Sequence, residues 1–307
     1  MPGFEAILCP VDPAAPSEVV LQHASALGEW FAADVTVLAV RPHGWRAGRV
    51  PVTRRNDRQH AEDVPGLEER IRQLSGPSVR VQVVEGAVGG EIVRATRNSR
   101  VALVVMGARE PGRIERLLFG SVVEHVLMHT SSPVLIVPPG TGSPPSSTAA
   151  LFERIVCGVD RSPESRRALA YALSLSRSHL AVVHAVEDFS DEDPRFARHF
   201  NTIECWREVE PEIRADYDRL VPEDGRLWCT VEVVVPFGRA GAVLIEAAEA
   251  RRASLLVIGT AGVHSLFGTT ARYVIRKASC PVLAVPRTAA RATGRPLRTS
   301  SATAAHP

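Results

Sequence analysis

The chain is a tandem duplication, and this repeat restricts its fold more than any other feature of the sequence. Three segments recur in the same order in the two halves of the 307 residues. They are ILCPVD at 7–12 and IVCGVD at 155–160, VVMG at 104–107 and LVIG at 256–259, and FGSVVEHVLMHTSSPVLIVP at 119–138 and FGTTARYVIRKASCPVLAVP at 267–286. Two copies of one structural unit therefore account for most of the chain.

Within each copy, short apolar runs alternate with segments of helical periodicity. Residues 35–40 are a continuous, mostly β-branched run, whereas residues 17–31 place apolar side chains at helical spacing. Each half contains five runs of the first kind. Strands that are apolar on both faces and are joined by helices indicate a parallel sheet covered on both sides. The predicted fold class is α/β, with two tandem doubly wound domains that each carry a five-stranded, mostly parallel sheet.

Composition sets the domain boundaries. Residues 139–147 read PGTGSPPSS, which is typical of a linker. We therefore predict a first domain over residues 1–138, a linker over 139–152 and a second domain over 153–287. Residues 288–307 have no periodicity and little apolar bulk, so we expect a disordered tail.

Overall composition is that of an ordinary globular protein and excludes several classes. Hydrophobic residues make up 45% and the net charge is +2, so we expect neither a nucleic-acid partner nor a membrane partner. No apolar run approaches the roughly 18–20 residues that span a bilayer, and the N-terminus lacks the pattern of a signal peptide. The five Cys form no C-x-x-C pair, which favours reduced thiols and a cytoplasmic location.

Two features at predicted strand ends could bind a ligand. Asp12 and Asp160 follow the first strand of each copy, where a carboxylate can accept from a ligand or cap the next helix. Gly107 and Gly259 end the fourth strand, where a backbone turns sharply or approaches another group closely. Ligands of open α/β sheets bind at such strand ends.

The third feature is the start of the helix before the last strand. Gly120-Ser121 and Gly268-Thr269 combine a residue without a side chain with a hydroxyl group beside free N–H groups. The helix dipole adds about half a positive charge at this end, so the pair is typical of an anion site. An ordinary helix cap remains the alternative.

These segments resemble the universal stress protein family in its tandem two-domain form. Nucleotide-binding members of that family carry G-x2-G-x9-G-S/T after the fourth strand, and the resemblance covers all but the linker and the tail. It implies a five-stranded α/β domain with ATP, with or without Mg²⁺, lying across the strand ends. The positions that the resemblance assigns to the nucleotide are Pro10, Asp12, Val40, Met106, Gly107, Arg109, Gly120, Ser121 and Val122 in the first copy, and Asp160, Val186, Ile258, Gly259, Gly262, Gly268, Thr269 and Thr270 in the second.

Each copy departs from the motif in its own way. Glu110 replaces the second glycine of the first copy, although the overall spacing is intact. In the second copy only five residues separate Gly262 from Gly268, so four of the nine spacer residues are missing. We expect the first domain to bind nucleotide better than the second.

Other chemistries have weaker signatures. His125 and His129 have a spacing compatible with a metal, but no third ligand is evident, and we assign neither a metal site nor catalytic residues. The chain lacks G-x-S-x-G and G-x4-G-K-S/T, and PVDPAAP replaces the Gly-rich loop of nucleotide-dependent ligases.

The leading hypothesis is a stress-response or regulatory protein that binds ATP, mainly in the first domain, and acts as an interaction module with at most slow ATP hydrolysis. The alternatives are a protein of this fold that has lost nucleotide binding and acts through protein partners, and a weak ATPase. We also expect the last strands, PVLIVP and PVLAVP, to pack the two domains together, and homodimerisation between chains is a further expectation.

Overall fold

The structure is a computed structural model of the chain. It describes residues 4–42, 64–75, 79–98, 101–108, 120–144, 148–187, 202–260 and 268–287. Arg109, Glu110 and Gly262 lie outside the described residues, as does the predicted tail beyond residue 287.

Strands and helices alternate along the first domain. Its elements are β1 (Ala6–Val11), α1 (Glu18–Phe31), β2 (Asp34–Arg41), α2 (Val64–Ser75), β3 (Val79–Glu85), α3 (Val88–Asn98), β4 (Leu103–Gly107), α4 (Ser121–His129) and β5 (Val134–Val137).

The second domain repeats this order and adds two short 3₁₀ turns. Its elements are a 3₁₀ turn (Thr148–Phe152), β6 (Arg154–Gly158), α5 (Pro163–Leu175), β7 (His179–Val183), α6 (Thr202–Asp218), a 3₁₀ turn (Asp224–Leu227), β8 (Thr230–Val234), α7 (Ala240–Ala250), β9 (Leu255–Gly259), α8 (Thr269–Lys277) and β10 (Val282–Val285).

All ten strands form one sheet in the order β3-β2-β1-β4-β5-β10-β9-β6-β7-β8. Pairing is parallel within each half, and β5 and β10 pair antiparallel where the halves meet. Leu135 lies opposite Leu283, its counterpart in the repeat, so a local two-fold axis relates the two domains there. The predicted fold is confirmed, and the last strands do join the domains within the chain.

Helices cover both faces of the sheet. Buried side chains of α1, α2, α5 and α6 pack on one face, and those of α3, α4, α7 and α8 pack on the other. Right-handed crossovers between parallel strands produce this doubly wound arrangement. It leaves the carboxyl ends of the strands as the open edge of each domain.

Two groups of side chains support the junction between the domains. Phe4 of the first domain stacks on Tyr171 of α5, with ring centroids 5.9 Å apart. On the opposite face, Glu124 of α4 forms an ion pair with Arg272 of α8. These two residues occupy equivalent positions in the repeat, so the ion pair lies across the local two-fold axis.

The region predicted as a linker over 139–152 is not purely a spacer. Its last residues form the first 3₁₀ turn, and Leu151 and Phe152 are buried in the core. Phe152 packs against Phe31 of α1 at 6.0 Å between ring centroids. The second domain therefore begins to pack against the first before β6 starts. The other boundaries stay predictions.

Four cysteines, Cys9, Cys157, Cys229 and Cys280, are free and buried in the part of the chain that the structure describes. Burial raises the pKa of the Cys9 thiol to about 12 and that of Cys280 to about 11. Within the same part of the chain, no helix combines the length and the hydrophobicity needed to cross a bilayer.

Candidate functional site

The predicted site residues lie at the carboxyl edge of each half-sheet, where the strand order reverses. In the first domain, β1 lies between β2 and β4, and the chain leaves β1 and β4 toward opposite faces. Such a reversal opens a crevice at the strand ends, the usual place for a ligand in open α/β sheets. Asp12, Gly107 and the start of α4 all belong to this edge.

Both acids after the first strand cap local turns. Asp12 Oδ1 accepts from the Ala14 N–H at 2.9 Å, and Asp160 Oδ1 accepts from the Ser162 N–H at 2.8 Å. Each carboxylate therefore has one oxygen engaged by its own chain. These bonds fit the capping alternative. A ligand would donate a hydrogen bond to the second oxygen, Oδ2, of each carboxylate.

The start of α4 presents a set of N–H groups without a capping side chain. Gly120 is the N-cap residue, and the first bond within the helix runs from the Glu124 N–H to the Gly120 oxygen at 3.1 Å. The N–H groups of residues 121–123 therefore have no acceptor within the helix. Ser121 is exposed beside them and Val122 is half-buried. By contrast, the side chain of Ser162 caps α5 by accepting from the Ser165 N–H.

The start of α8 resembles that of α4 but has one additional backbone hydrogen bond. No side chain caps the helix, and its first bond runs from the Arg272 N–H to the Gly268 oxygen, so the N–H groups of residues 269–271 have no acceptor within the helix. The Gly268 N–H donates to the Thr260 oxygen at 2.8 Å, which joins the N-cap residue to the end of β9. The described residues of the first domain contain no matching bond between Ala108 and Gly120, although Ala108 and Thr260 form equivalent bonds to the last strands.

Gly107 and Gly259 have a packing role as well as a possible ligand role. A Cβ at Gly259 would lie 3.1 Å from the Glu164 carbonyl carbon, the Glu164 Cβ and the Ser165 nitrogen, all in the first turn of α5. A Cβ at Gly107 would meet only Val20 Cγ2, at 3.1 Å. Close approach of the strand to the helix therefore accounts for a glycine at residue 259.

The pairing of strands shows which residue of the second domain is the counterpart of Val40. Pro10 pairs with Leu38, and its counterpart Gly158 pairs with Val183, so Ala185 corresponds to Val40. Two further hydrogen bonds agree with this alignment. Gly86 and Gly238 follow the third strand of their copies, and their N–H groups donate to the oxygens of Arg41 and Val186, respectively. Val186 is thus the counterpart of Arg41.

The side chains of Val40 and Val186 consequently face opposite layers. Val40 packs with the core of α3 and α4, whereas Val186 packs with the core of α5 and α6. Ala185 rather than Val186 is the counterpart of Val40 because the chain from Asp160 to Ala185 is three residues shorter than that from Asp12 to Val40. The assignment of Val186 to a nucleotide stays a prediction.

The remaining predicted residues fall into two groups. Met106 and Ile258 are buried in the core, so only their backbone can face a ligand. Pro10 and Thr270 are half-buried at the strand edge, and Thr269 is exposed at the start of α8.

His125 and His129 stack on each other on α4, with ring centroids 4.3 Å apart. His129 Nδ1 lies 2.8 Å from the His125 oxygen, which leaves one ring nitrogen to bond outward. No group of three potential metal ligands occurs among the residues that the structure describes.

A concave surface that the sequence did not indicate lies in the second domain between α5 and α6. Its volume is about 210 Å³, and Asp160, Arg161, Arg166 and Tyr217 line it. The signal that could have revealed it is a comparison of the two copies: Arg161 and Arg166 correspond to Pro13 and Glu18, 148 positions earlier.

The strand order, the local two-fold axis and the open carboxyl edges define a tandem doubly wound α/β protein. Known proteins place it more closely. The model of the universal stress protein family matches residues 3–138 and 151–286. The chain therefore belongs to the universal stress protein family, with one family domain in each half.

Relatives agree with this assignment. A universal stress protein of Mycobacterium tuberculosis is 29% identical over 227 residues, which cover 69% of this chain and 68% of the relative. One from Mycolicibacterium smegmatis is 25% identical over 295 residues, covering 91% of this chain and 96% of the relative. The crystal structure of a universal stress protein from Archaeoglobus fulgidus shares the fold, with a TM-score of 0.60 at 22% identity and coverage of 92% and 99%.

Proposed function

We propose that this universal stress protein binds an adenine nucleotide, ATP in the first instance, at the carboxyl edge of its first domain. The observation that carries the proposal is the start of α4, where Gly120 and Ser121 lie at the uncapped N–H groups of residues 121–123. Such a helix N-terminus suits a phosphate group. The start of α8 has the same free N–H groups, but there the Gly268 N–H is bonded to Thr260 and the preceding spacer is four residues shorter.

The bound nucleotide acts as a regulatory ligand rather than as the substrate of a fast reaction. The protein works as a stress-response interaction module, and any ATP hydrolysis is slow because the residues that the structure describes around α4 provide no evident base to activate water. The free, buried cysteines support a cytoplasmic location. The alternative, a protein that has lost nucleotide and acts through partners alone, is tested by the same experiment.

The test begins with the purified full chain. The protein is denatured, any released nucleotide is identified by chromatography, and ATP is titrated with and without Mg²⁺ while the thermal midpoint is followed. We expect released adenine nucleotide or a concentration-dependent rise in the midpoint. The absence of both would leave the partner-only alternative as the function.

Matched variants locate the site. Gly120→Ala and Ser121→Ala should each weaken ATP binding by about tenfold or more, because they remove close backbone approach or a hydroxyl at the phosphates. The controls are Gly268→Ala and Thr269→Ala, which should leave affinity unchanged. Gly120 has a φ of −51°, which alanine adopts readily, so its variant should fold. Equal loss in both pairs would disprove the assignment to the first domain.

A further inference from the structure

The cleft between α5 and α6 has the features of a binding site, and its lining shares only Asp160 with the predicted nucleotide positions of the second copy. It lies beside the carboxyl end of β6 and has a volume of about 210 Å³. Its lining combines charged groups with an apolar wall formed by Ile213 and Leu220. Leu220 is 39% exposed, so apolar surface remains open at the rim.

Tyr217 is the buried polar group of the cleft. Only 5% of the residue is exposed, and among the residues that the structure describes its hydroxyl has no hydrogen-bond partner. The ring stacks on His184 with centroids 4.3 Å apart, which fixes the ring against the end of β7. Burial raises the pKa of this phenol to about 12, so it remains a neutral donor. A buried hydroxyl without a partner is costly, and a ligand would satisfy it.

The arginines of the cleft are available for an anion. Arg161 and Arg166 are exposed and form no ion pair with any residue that the structure describes. The carboxylates beside them are already engaged: Asp160 Oδ1 accepts from Ser162, and Asp216 Oδ1 accepts from Arg219. Two guanidinium groups offer the paired donors that phosphate oxygens prefer.

The first copy has no arginine at the two matching sequence positions. The residues 148 positions before Arg161 and Arg166 are Pro13 and Glu18, so the second copy has a cation where the first copy has an anion. Asp160, in contrast, has its counterpart in Asp12. These two positions therefore carry more positive charge in the second copy than in the first.

We propose that this cleft binds a small phosphorylated polyol, with the phosphate held by Arg161 and Arg166. Hydroxyl groups of the ligand meet Tyr217 and the free carboxylate oxygens of Asp160 and Asp216. The volume is below the range of about 300–1,000 Å³ that is typical of sites for drug-sized molecules, so a nucleoside triphosphate is too large. The proposal does not depend on nucleotide binding in the first domain.

The test uses calorimetric titration of the full chain with glycerol 3-phosphate. We expect saturable one-to-one binding at up to about millimolar concentration. Inorganic phosphate and glycerol, titrated separately, should each bind at least about tenfold more weakly, because each offers only part of the contacts. Inorganic phosphate binding as tightly as the ester would overturn the assignment of a polyol.

Three variants separate this site from general electrostatics. Arg166→Glu, which reproduces the residue of the first copy, should reduce affinity about tenfold or more, and Tyr217→Phe should reduce it several-fold while keeping the ring stacked on His184. Arg214→Ala is the control, because Arg214 lies on α6 with Tyr217 but its charge is paired with Glu210. Undiminished binding by Arg166→Glu, or no binding by the wild type up to roughly 10 mM, would refute the proposal.

Discussion

The close contact between β9 and α5 makes Gly259 and Gly107 an internally matched pair for substitution. Gly259→Ala places a Cβ 3.1 Å from two atoms of Glu164 and one of Ser165. Two of these three are backbone atoms of a buried helix turn, which cannot move alone. Gly107→Ala meets one methyl group of Val20 at the same distance, and a side chain relieves such a contact more easily.

The expected loss follows from two opposing effects. Overpacking a core costs about 1–3 kcal/mol, while replacing glycine in a compatible conformation stabilises by about 0.4–1 kcal/mol through the unfolded state. We therefore expect Gly259→Ala to lower the free energy of unfolding by about 1–2 kcal/mol. Gly107→Ala should stay within about 1 kcal/mol of the wild type, because the two effects are of similar size there.

The assay is urea denaturation followed by far-ultraviolet circular dichroism. With a slope of about 1–3 kcal/mol/M, the expected loss shifts the midpoint by roughly 0.3–2 M. Gly142→Ala is a control for the glycine effect alone, since nothing lies within 4 Å of a Cβ at that position. If Gly259→Ala were as stable as Gly107→Ala, the contact with α5 would not explain the glycine.

Three further predictions concern charge, thiols and pH. Reversing either charge of the Glu124–Arg272 pair should cost up to about 1 kcal/mol of stability because the pair is partly exposed, and the double reversal Glu124→Arg with Arg272→Glu should restore it, as a double-mutant cycle would measure. Cys9 and Cys157 should resist a thiol reagent at pH 8 until denaturant is added, because burial raises the pKa of both thiols; rapid labelling of the native protein would contradict this. Burial lowers the pKa of His23, so the unfolded chain binds more protons, and stability should fall as the pH drops below about 6.5; His23→Gln should flatten this dependence of the urea midpoint between pH 7.5 and 5.5.

Local sequence signals located most secondary-structure elements because their patterns are unambiguous. The helix predicted to start at Gly120-Ser121 is α4 (Ser121–His129), and the last strand predicted at PVLIVP is β5 (Val134–Val137). The 3₁₀ turn at Thr148–Phe152 was missed because the Pro- and Gly-rich stretch before it dominates the composition. Leu151 and Phe152 become core residues only when α1 of the other domain is present to bury them.

The candidate site was less predictable because it depends on register and on distant contacts. The resemblance placed Val186 at the position of Val40, and only the strand pairing reveals that Val186 matches Arg41. The bond between Gly268 and Thr260 joins two residues that no local sequence pattern pairs. The cleft needed Arg161 and Tyr217, 56 positions apart on different elements, to come together in the fold.

The ladder between β5 and β10 also has a consequence for how the protein responds to its own abundance. In a pair of separate subunits, the same strands would meet by a second-order reaction, and dilution would separate them. Here both strands belong to one chain, so their effective concentration is set by the connecting segment and reaches about the millimolar range for short flexible links. The fraction of chains that form the complete ten-stranded sheet is therefore the same at low and at high protein concentration. The rate of synthesis changes the number of such chains and leaves that fraction unchanged.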